Sequence, residues 1–563
     1  MDGCMKIGKR TTLIVALTLL VGVVSLAEVH STKVLWLDND MKTIPEPKQR
    51  KSSYYDAFFK GQLIEGLKED LDVPRWVRRA AGHPKQASNV NGLDEVPDSS
   101  WYTNRHHIHR MSAAELKRGP NNGKNPDFTT AVVTKAKTSG VTPGLMLKDA
   151  NGESYLIKFD GVNYPNLQSG AEMISTKILY AAGYNVPENY IAYIHPNNLK
   201  IGEGVEITDP KTGELRALTK DDIDQMMWRV ARTPDGRCRV LASKVIKGKL
   251  KGPFPQVGLR LDDPNDLIPH EHRRELRGLH VIASWINDWD LKEAQSMDSY
   301  VEENGRKFLR HYLLDFGSSL GADDDPTEYF HGREYGLDLK SITKEVFSLG
   351  VHVSDNEKKA RIISPEIGNF TADDFNPGKW KPTFPSVVFD DMTDQDAFWA
   401  SRVILSFTRD DLQSIIQTAE YSSPMSSEYM LRTLLERQQI VARYWLGRGD
   451  GLSDFSIRRT AEGVAIRFQD LMSDRGLAST EPTKYTYQVQ RNHYKSAKNT
   501  ISGSEITIDR ETLGAFAERG SSDAPVELTI WAHRRDSRSE PVRIYFDWTS
   551  NGDALTIRRI ARG

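Results

Sequence analysis

Residues 281–321 read VIASWINDWDLKEAQSMDSYVEENGRKFLRHYLLDFGSSLG. Leu279, Ile282, Ala283 and Ile286 recur at helical spacing and end in a polar knot, Asn287-Asp288-Trp289-Asp290-Leu291-Lys292. A polar excursion follows, and then an apolar strand from His311 to Leu314 that delivers Asp315-Phe316-Gly317. Two acidic sites therefore stand at the two ends of a short β excursion. That arrangement places carboxylates on one cleft wall, one for a substrate hydroxyl and one for a metal.

Asp290-Leu291-Lys292-Glu293-Ala294-Gln295 resembles the catalytic loop of the protein-kinase-like superfamily, and Asp315-Phe316-Gly317 resembles its metal-binding Asp-Phe-Gly motif. The resemblance implies a base or orienting role for Asp290, with Asp288 as the alternative. It also implies charge neutralisation by Lys292 and a divalent metal, Mg²⁺ or Mn²⁺, on Asp315. The superfamily's second metal ligand, an Asn, falls on Gln295, which offers the same amide oxygen on a longer arm.

Upstream, Tyr155-Leu156-Ile157-Lys158-Phe159 is a strand with one basic residue. Taken alone, Lys158 belongs on a solvent face; beside the catalytic loop it resembles the strand lysine that grips ATP phosphates. Asp149-Ala150-Asn151-Gly152 before it is a hairpin turn. This loop is poorer in glycine than that of ordinary protein kinases and is similar to the sparse hairpin of HipA-like and phosphoinositide-type kinases. Residues 169–182 predict a helix with Ala171, Ile174, Ile178 and Ala181 on one face, stopped by Gly183. The resemblance makes Glu172 the partner of Lys158. Ser169-x-x-Glu172 equally fits a capping box, which needs no catalysis.

The expected fold is α+β: a bilobal protein-kinase-like body with a β-rich N-lobe (128–250) and a helical C-lobe (251–447). An N-terminal extension (28–127) precedes it, and an all-β, sandwich-like domain (452–563) follows. Strands are predicted over 186–194 and 239–245, with a polar insertion between them at 198–236. In the extension, Glu95-Val96-Pro97-Asp98-Ser99-Ser100-Trp101-Tyr102 reads as an anchor that docks it on the body. His106, His107 and His109 read as a solvated loop, since no further ligand lies at metal spacing. His270-Glu271-His272-Arg273-Arg274 departs from the HExxH zinc pattern and reads as a charged helix start, with Arg273 or Arg274 ordering the catalytic loop. Asp323, Asp324 and Asp325 read as a solvated acidic loop.

The 563 residues carry 75 Lys+Arg against 77 Asp+Glu, a balance that excludes nucleic acid as the main partner. Lys6, Lys9 and Arg10 precede an apolar run at 13–24, and Ser25-Leu26-Ala27 offers a cleavage site. The pattern predicts a signal peptide over 1–27 and export to a periplasmic or extracellular space, with an uncleaved anchor as the alternative. No later stretch is apolar enough to span a bilayer. Cys4 would leave with the signal, so Cys238 would stand without an intrachain partner.

Three function classes follow. The first is an exported kinase-like phosphotransferase that uses ATP and a divalent metal on an unknown phosphate acceptor. The second is a pseudokinase that keeps the fold, a reading Gln295 favours. The third is an envelope module whose terminal β-domain binds carbohydrate or a partner.

Overall fold

The computed structural model describes residues 38–50, 77–78, 81, 84–136, 144–209, 212–323, 331–335, 361–478, 482–519, 524–534, 537–538, 540–548 and 555–562. The expected signal peptide, Asp324 and Asp325 lie outside them. The protein is mixed α/β. No helix among the described residues is long and apolar enough to cross a membrane.

After a short capped helix α1 (Ala113–Arg118), the chain enters a six-stranded sheet. Its strands are β1 (Ala131–Ala136), β2 (Gly144–Lys148), β3 (Ser154–Phe159), β4 (Asn189–Ile194), β5 (Leu199–Ile201) and β8 (Cys238–Lys244). The order is β4-β8-β3-β2-β1-β5, antiparallel except for the β1–β5 pair. The polar insertion holds a hairpin, β6 (Glu206–Thr208) and β7 (Leu215–Ala217), and helix α3 (Lys220–Met227).

Alternation along β3 decides where Lys158 points. Tyr155, Ile157 and Phe159 enter the core of the sheet with Leu145, Leu147 and Val240. A period of two sends Lys158 to the opposite face. That face is covered by helix α2 (Leu167–Ala182), nearly all of whose residues are buried. Ala171, Ile174, Ile178 and Ala181 join the large core beneath. The helix ends at Gly183, where φ is 120° and the Tyr102 ring fills the space a Cβ would take.

Lys177 of α2 is also buried, with its ammonium donating to the Arg118 carbonyl at 2.6 Å. Burial pulls its pKa down to about 7. A lysine protonated more readily in the unfolded chain destabilises the fold fully below the folded pKa, and the cost is relieved as pH rises from about 7 toward the unfolded value. Lys177→Met is therefore expected to raise Tm at pH 6 and to lose that gain by pH 10, as thermal unfolding across the range would show.

The helical core is built from α4 (Arg274–Ile286), α5 (Asp394–Leu405), α6 (Arg409–Ile416) and α7 (Pro424–Leu446). Trp285 and Trp399 are its largest buried apolar side chains. Trp380 is buried in the segment before α5.

The segment around Trp101 is buried where extension and body meet. Trp101 stacks on His311 at 3.6 Å, Arg273 sits over its ring, and the Tyr102 hydroxyl donates to the Ala182 carbonyl. Three details differ from the sequence reading. His106 is buried, holding the Ser406 carbonyl and Asp411 rather than water. His107 is mostly buried, which depresses its pKa to about 3 and keeps it neutral. Arg273 and Arg274 order the extension through Asp38 and Asp94 rather than the catalytic loop. The run of charge at 270–274 misled because two of its carboxylate partners, Asp38 for Arg273 and Asp94 for Arg274, lie 235 and 180 residues away.

Beyond residue 451 the described chain is mostly strand. A sheet ordered β12-β13-β17 comprises Leu452–Arg459, Gly463–Asp470 and Glu505–Asp509. A larger sheet runs β15-β14-β18-β20-β21, that is Tyr494–Lys495, Lys484–Arg491, Val526–Arg534, Val542–Phe546 and Ile557–Arg562, with β16 (Asn499–Ile501) on β14 and β19 (Ser537–Arg538) on β18. The two sheets share one core that includes Val464, Ile506, Leu528 and Phe546. A helix, α8 (Arg510–Arg519), interrupts what the sequence reads as strands throughout.

Arg562 on the last strand reaches back into the body. It is buried, pairs with Asp450 through both carboxylate oxygens and with Asp94 at 2.7 Å, and lies over the Phe398 ring. Arg562→Ala leaves two buried carboxylates without this cation and is expected to cost about 3–5 kcal/mol in urea unfolding.

Candidate active site

A hairpin register builds the site. β10 (Ser296–Glu303) pairs with β11 (Arg306–Leu313) from Glu303↔Arg306 to Ser296↔Leu313. The two turn residues, Asn304 and Gly305, both have positive φ, as a tight two-residue hairpin requires. Closing the ladder at Ser296–Leu313 puts the residues outside it side by side, and the Leu314 amide donates to the Gln295 carbonyl at 2.9 Å. The end of the Asp290–Gln295 segment and the start of Asp315-Phe316-Gly317 are thus neighbours by backbone pairing alone.

Phe316 is fully buried in the main core, an anchor worth about 1.5–3 kcal/mol. Asp315 beside it is held at φ 62°, a left-handed conformation that costs a non-glycine residue about 1–3 kcal/mol and clusters at functional sites. Gly317 packs so closely that a Cβ there would stand 3.3 Å from the Glu172 carboxylate.

Lys158 ties helix α2 to the segment after β11. Its ammonium donates to Glu172 Oε2 at 2.7 Å and to Asp315 Oδ1 at 2.5 Å. The Lys158 side chain is 10% exposed and that of Glu172 2%, whereas that of Asp315 is 47% exposed. Burial would lower the lysine's pKa, but Asp315 and then Glu172 outweigh it and hold the ammonium protonated. Ser169 forms no capping box with Glu172: it lies inside α2, and the Asp160 carboxylate accepts from its amide and hydroxyl.

Asp290 accepts from the Lys292 ammonium at 2.8 and 2.9 Å and from Gln295 Nε2 at 2.8 Å. Burial raises its pKa against the opposing pull of Lys292. Lys292 also lies 5.2 Å from the Phe384 ring. Asp288 is buried, and its pKa is pushed well up, first by desolvation and then by Asp290, Asp315 and Glu172.

These side chains suit a divalent cation in two respects. Glu172, Asp288, Asp290 and Asp315 are four carboxyl groups against two ammonium groups, Lys158 and Lys292, an excess of two acidic groups. Asp288 Oδ2 and Gln295 Oε1 are buried without a hydrogen-bond partner among the described residues, and such orphaned oxygens are costly. No three His, Cys, Asp or Glu residues among those described are gathered tightly enough to hold a metal by themselves. Mg²⁺ rarely needs such a cage, since it is held by one or two carboxylates together with substrate phosphates.

Of the sequence candidates, the structure links Lys158, Glu172 and Asp315 in one network and Asp290, Lys292 and Gln295 in a second. Asp288 touches both through its electrostatics. Sequence reasoning missed Asp160, whose carboxylate also accepts from the Asn166 amide and so fixes the start of the helix that carries Glu172. An aspartate directly after an apolar strand was its one sequence signal.

No protein-family model matches the chain, and no curated protein matches it in sequence. Three solved kinase structures are weakly similar. A Helicobacter pylori proinflammatory kinase, CtkA, is 14% identical, with 57% of this chain and 98% of that one covered at a TM-score of 0.30. The Golgi casein kinase is 8% identical, covering 74% and 96% at 0.30. The Golgi casein kinase with Mn/ADP bound is 10% identical, covering 67% and 96% at 0.24. A likeness this slight settles nothing about the chemistry, which rests on this chain's own side chains.

Proposed function

We propose that the protein is a metal-dependent phosphotransferase that moves the γ-phosphoryl group of ATP to a hydroxyl acceptor. The observation that carries this reading is the ammonium of Lys158 held between Glu172 and the exposed carboxylate of Asp315, beside the Asp290–Lys292 pair. The body is then bilobal, with the six-stranded sheet and α2 as one lobe and the helical core as the other, and the strands after residue 451 form an appended β domain. The pattern of residues 1–27 supports export.

In this account Lys158 binds and orients the phosphates, and Glu172 fixes Lys158. Asp315 and the amide oxygen of Gln295 would hold Mg²⁺ or Mn²⁺, which supplies charge neutralisation on the phosphates when bound. Asp290 accepts the hydroxyl proton as the acceptor oxygen bonds to phosphorus, and the bond from phosphorus to the bridging oxygen breaks to release ADP. A raised pKa makes Asp290 a better proton acceptor than an ordinary aspartate. Lys292 steadies it and offsets charge on the moving group.

Asp290→Ala is expected to lower transfer of labelled γ-phosphate by about 10²–10⁴-fold, with nucleotide binding retained. Equal transfer by variant and wild type would remove Asp290 from the chemistry. A second reading, nucleotide binding without turnover, is favoured by Gln295, which carries its amide oxygen on a longer arm than the asparagine it stands in for. It predicts metal-dependent ATP binding and no label transfer to any acceptor.

A further inference from the structure

A cavity of about 400 Å³ lies at the C-terminal end of α4, within the size range of small-ligand sites. Asn287, Arg333, Asn376, Lys379, Trp380 and Arg437 are among the residues that line it, and none of Lys158, Glu172, Asp290 or Asp315 does. It is therefore a separate site, and the inference drawn from it does not rest on the nucleotide reading.

Among the described lining residues, three cationic side chains, Arg333, Lys379 and Arg437, stand with one carboxylate, Asp374. Asp374 is already engaged by Arg333 at 2.8 Å and by the Thr371 hydroxyl at 2.8 Å. Arg437 is buried and donates only to carbonyls, those of Ser284, Trp285 and Thr371, while its guanidinium stacks 3.6 Å from the Phe375 ring. No carboxylate among the described residues lies within ion-pair distance of it. Burial pulls its pKa down to about 9, the mark of a cation short of counter-charge. Lys379 is exposed, and its ammonium has no partner among the described residues.

The rest of the lining is amide. Asn287 Oδ1 is fixed by the Trp380 indole at 2.9 Å, and Asn376 Oδ1 by the Gly378 amide at 3.0 Å. Each carbonyl thus has its donor, and each of these lining side chains also carries an NH₂ donor. Donors of this kind read hydroxyl and phosphate oxygens. We propose that this cavity binds a phosphorylated, polyhydroxylated small molecule, such as a hexose phosphate, with its phosphate on Lys379 and Arg333 and its hydroxyls on the side-chain amides.

The test is calorimetric titration of the purified chain with glucose 6-phosphate, glucose and inorganic phosphate, in the absence of nucleotide. Saturable binding of glucose 6-phosphate is expected, at least about tenfold tighter than either fragment, as charge-assisted hydrogen bonds and hydroxyl contacts combine. Lys379→Glu should weaken it by about tenfold or more, and Asn376→Ala should weaken it with the phosphate fragment unaffected. Lys379 is exposed, so folding is not at stake. Asp315→Ala should bind glucose 6-phosphate as wild type does. Absence of saturable binding, or equal binding by Lys379→Glu, would overturn the proposal. Inorganic phosphate binding as tightly as the sugar phosphate would overturn the polyhydroxyl part. Loss of binding in Asp315→Ala would place the ligand in the cleft and overturn the separate site.

Discussion

Lys158→Met is expected to destabilise the protein by about 3–5 kcal/mol and to abolish nucleotide binding at the same time. Methionine keeps the length and apolar stem of lysine, so packing against the sheet is little changed. What goes is the cation between two carboxylates. Glu172 is almost wholly buried, so its oxygen loses a 2.7 Å charged partner at a place that water reaches poorly. Removing the stranded acid as well, in Lys158→Met/Glu172→Leu, should recover most of the stability, because an apolar pair of similar volume is often as stable as a buried ion pair. Nucleotide binding should stay lost in both. Urea unfolding measures the first effect and a titration with ATP and metal the second. A loss below about 1 kcal/mol in the single variant would mean the pair behaves as a solvated one.

Asp315→Ala is expected to erase the stabilisation that ATP and metal confer. Ligand at about 100 times its Kd adds roughly 2.7 kcal/mol to the folded state, which appears as a Tm rise of a few degrees. Asp315 is the one acid of the Lys158 network that is half exposed, and so the one able to reach a bound metal without unpacking the core. The variant should unfold near the wild-type temperature without ligand, since Lys158 retains Glu172. Asp315→Gly makes a useful companion. It relieves the φ of 62° that alanine retains, so it should gain stability while losing the same ligand response. A wild-type ligand shift in either variant would remove Asp315 from the metal site.

Much of the site was legible because its residues break local rules. A lysine in an apolar strand and an aspartate ending another are both anomalies that a solvated loop would not explain, and Lys158 and Asp315 turned out to be 2.5 Å apart. A β excursion between the two acidic segments was also legible, because an apolar strand ends it, whereas its turn at Asn304 and Gly305 came only with the structure. The capping-box spacing at Ser169 was a false match. A sequence window shows the spacing but not that the helix already began at Leu167, fixed by Asp160. Arg273, Arg274 and His106 were misjudged for a related reason: long-range partners turned apparently solvated groups into buried ones. Helix α8 escaped notice because Gly514 weakens its helical signal and the strands around it set the pattern; Asp509 starts it by accepting from the Thr512 amide at 2.6 Å.

Site residues on the catalytic loop were harder to rank. Asp288 and Asp290 stand two apart and read alike in sequence, whereas their surroundings differ. Asp290 accepts from Lys292 and Gln295, and Asp288 has a buried oxygen with no hydrogen-bond partner among the described residues. That division is what the proposed function uses in giving proton acceptance to Asp290 rather than Asp288.

The most direct test of the central claim is a calorimetric titration of the wild-type chain with ATP, in the presence of Mg²⁺ or Mn²⁺ and again with the metal chelated. Saturable one-to-one binding that requires the metal is the result this site predicts. No binding of ATP with either metal would contradict it, and would mean that Lys158, Glu172 and Asp315 form a structural ion-pair network rather than a nucleotide site.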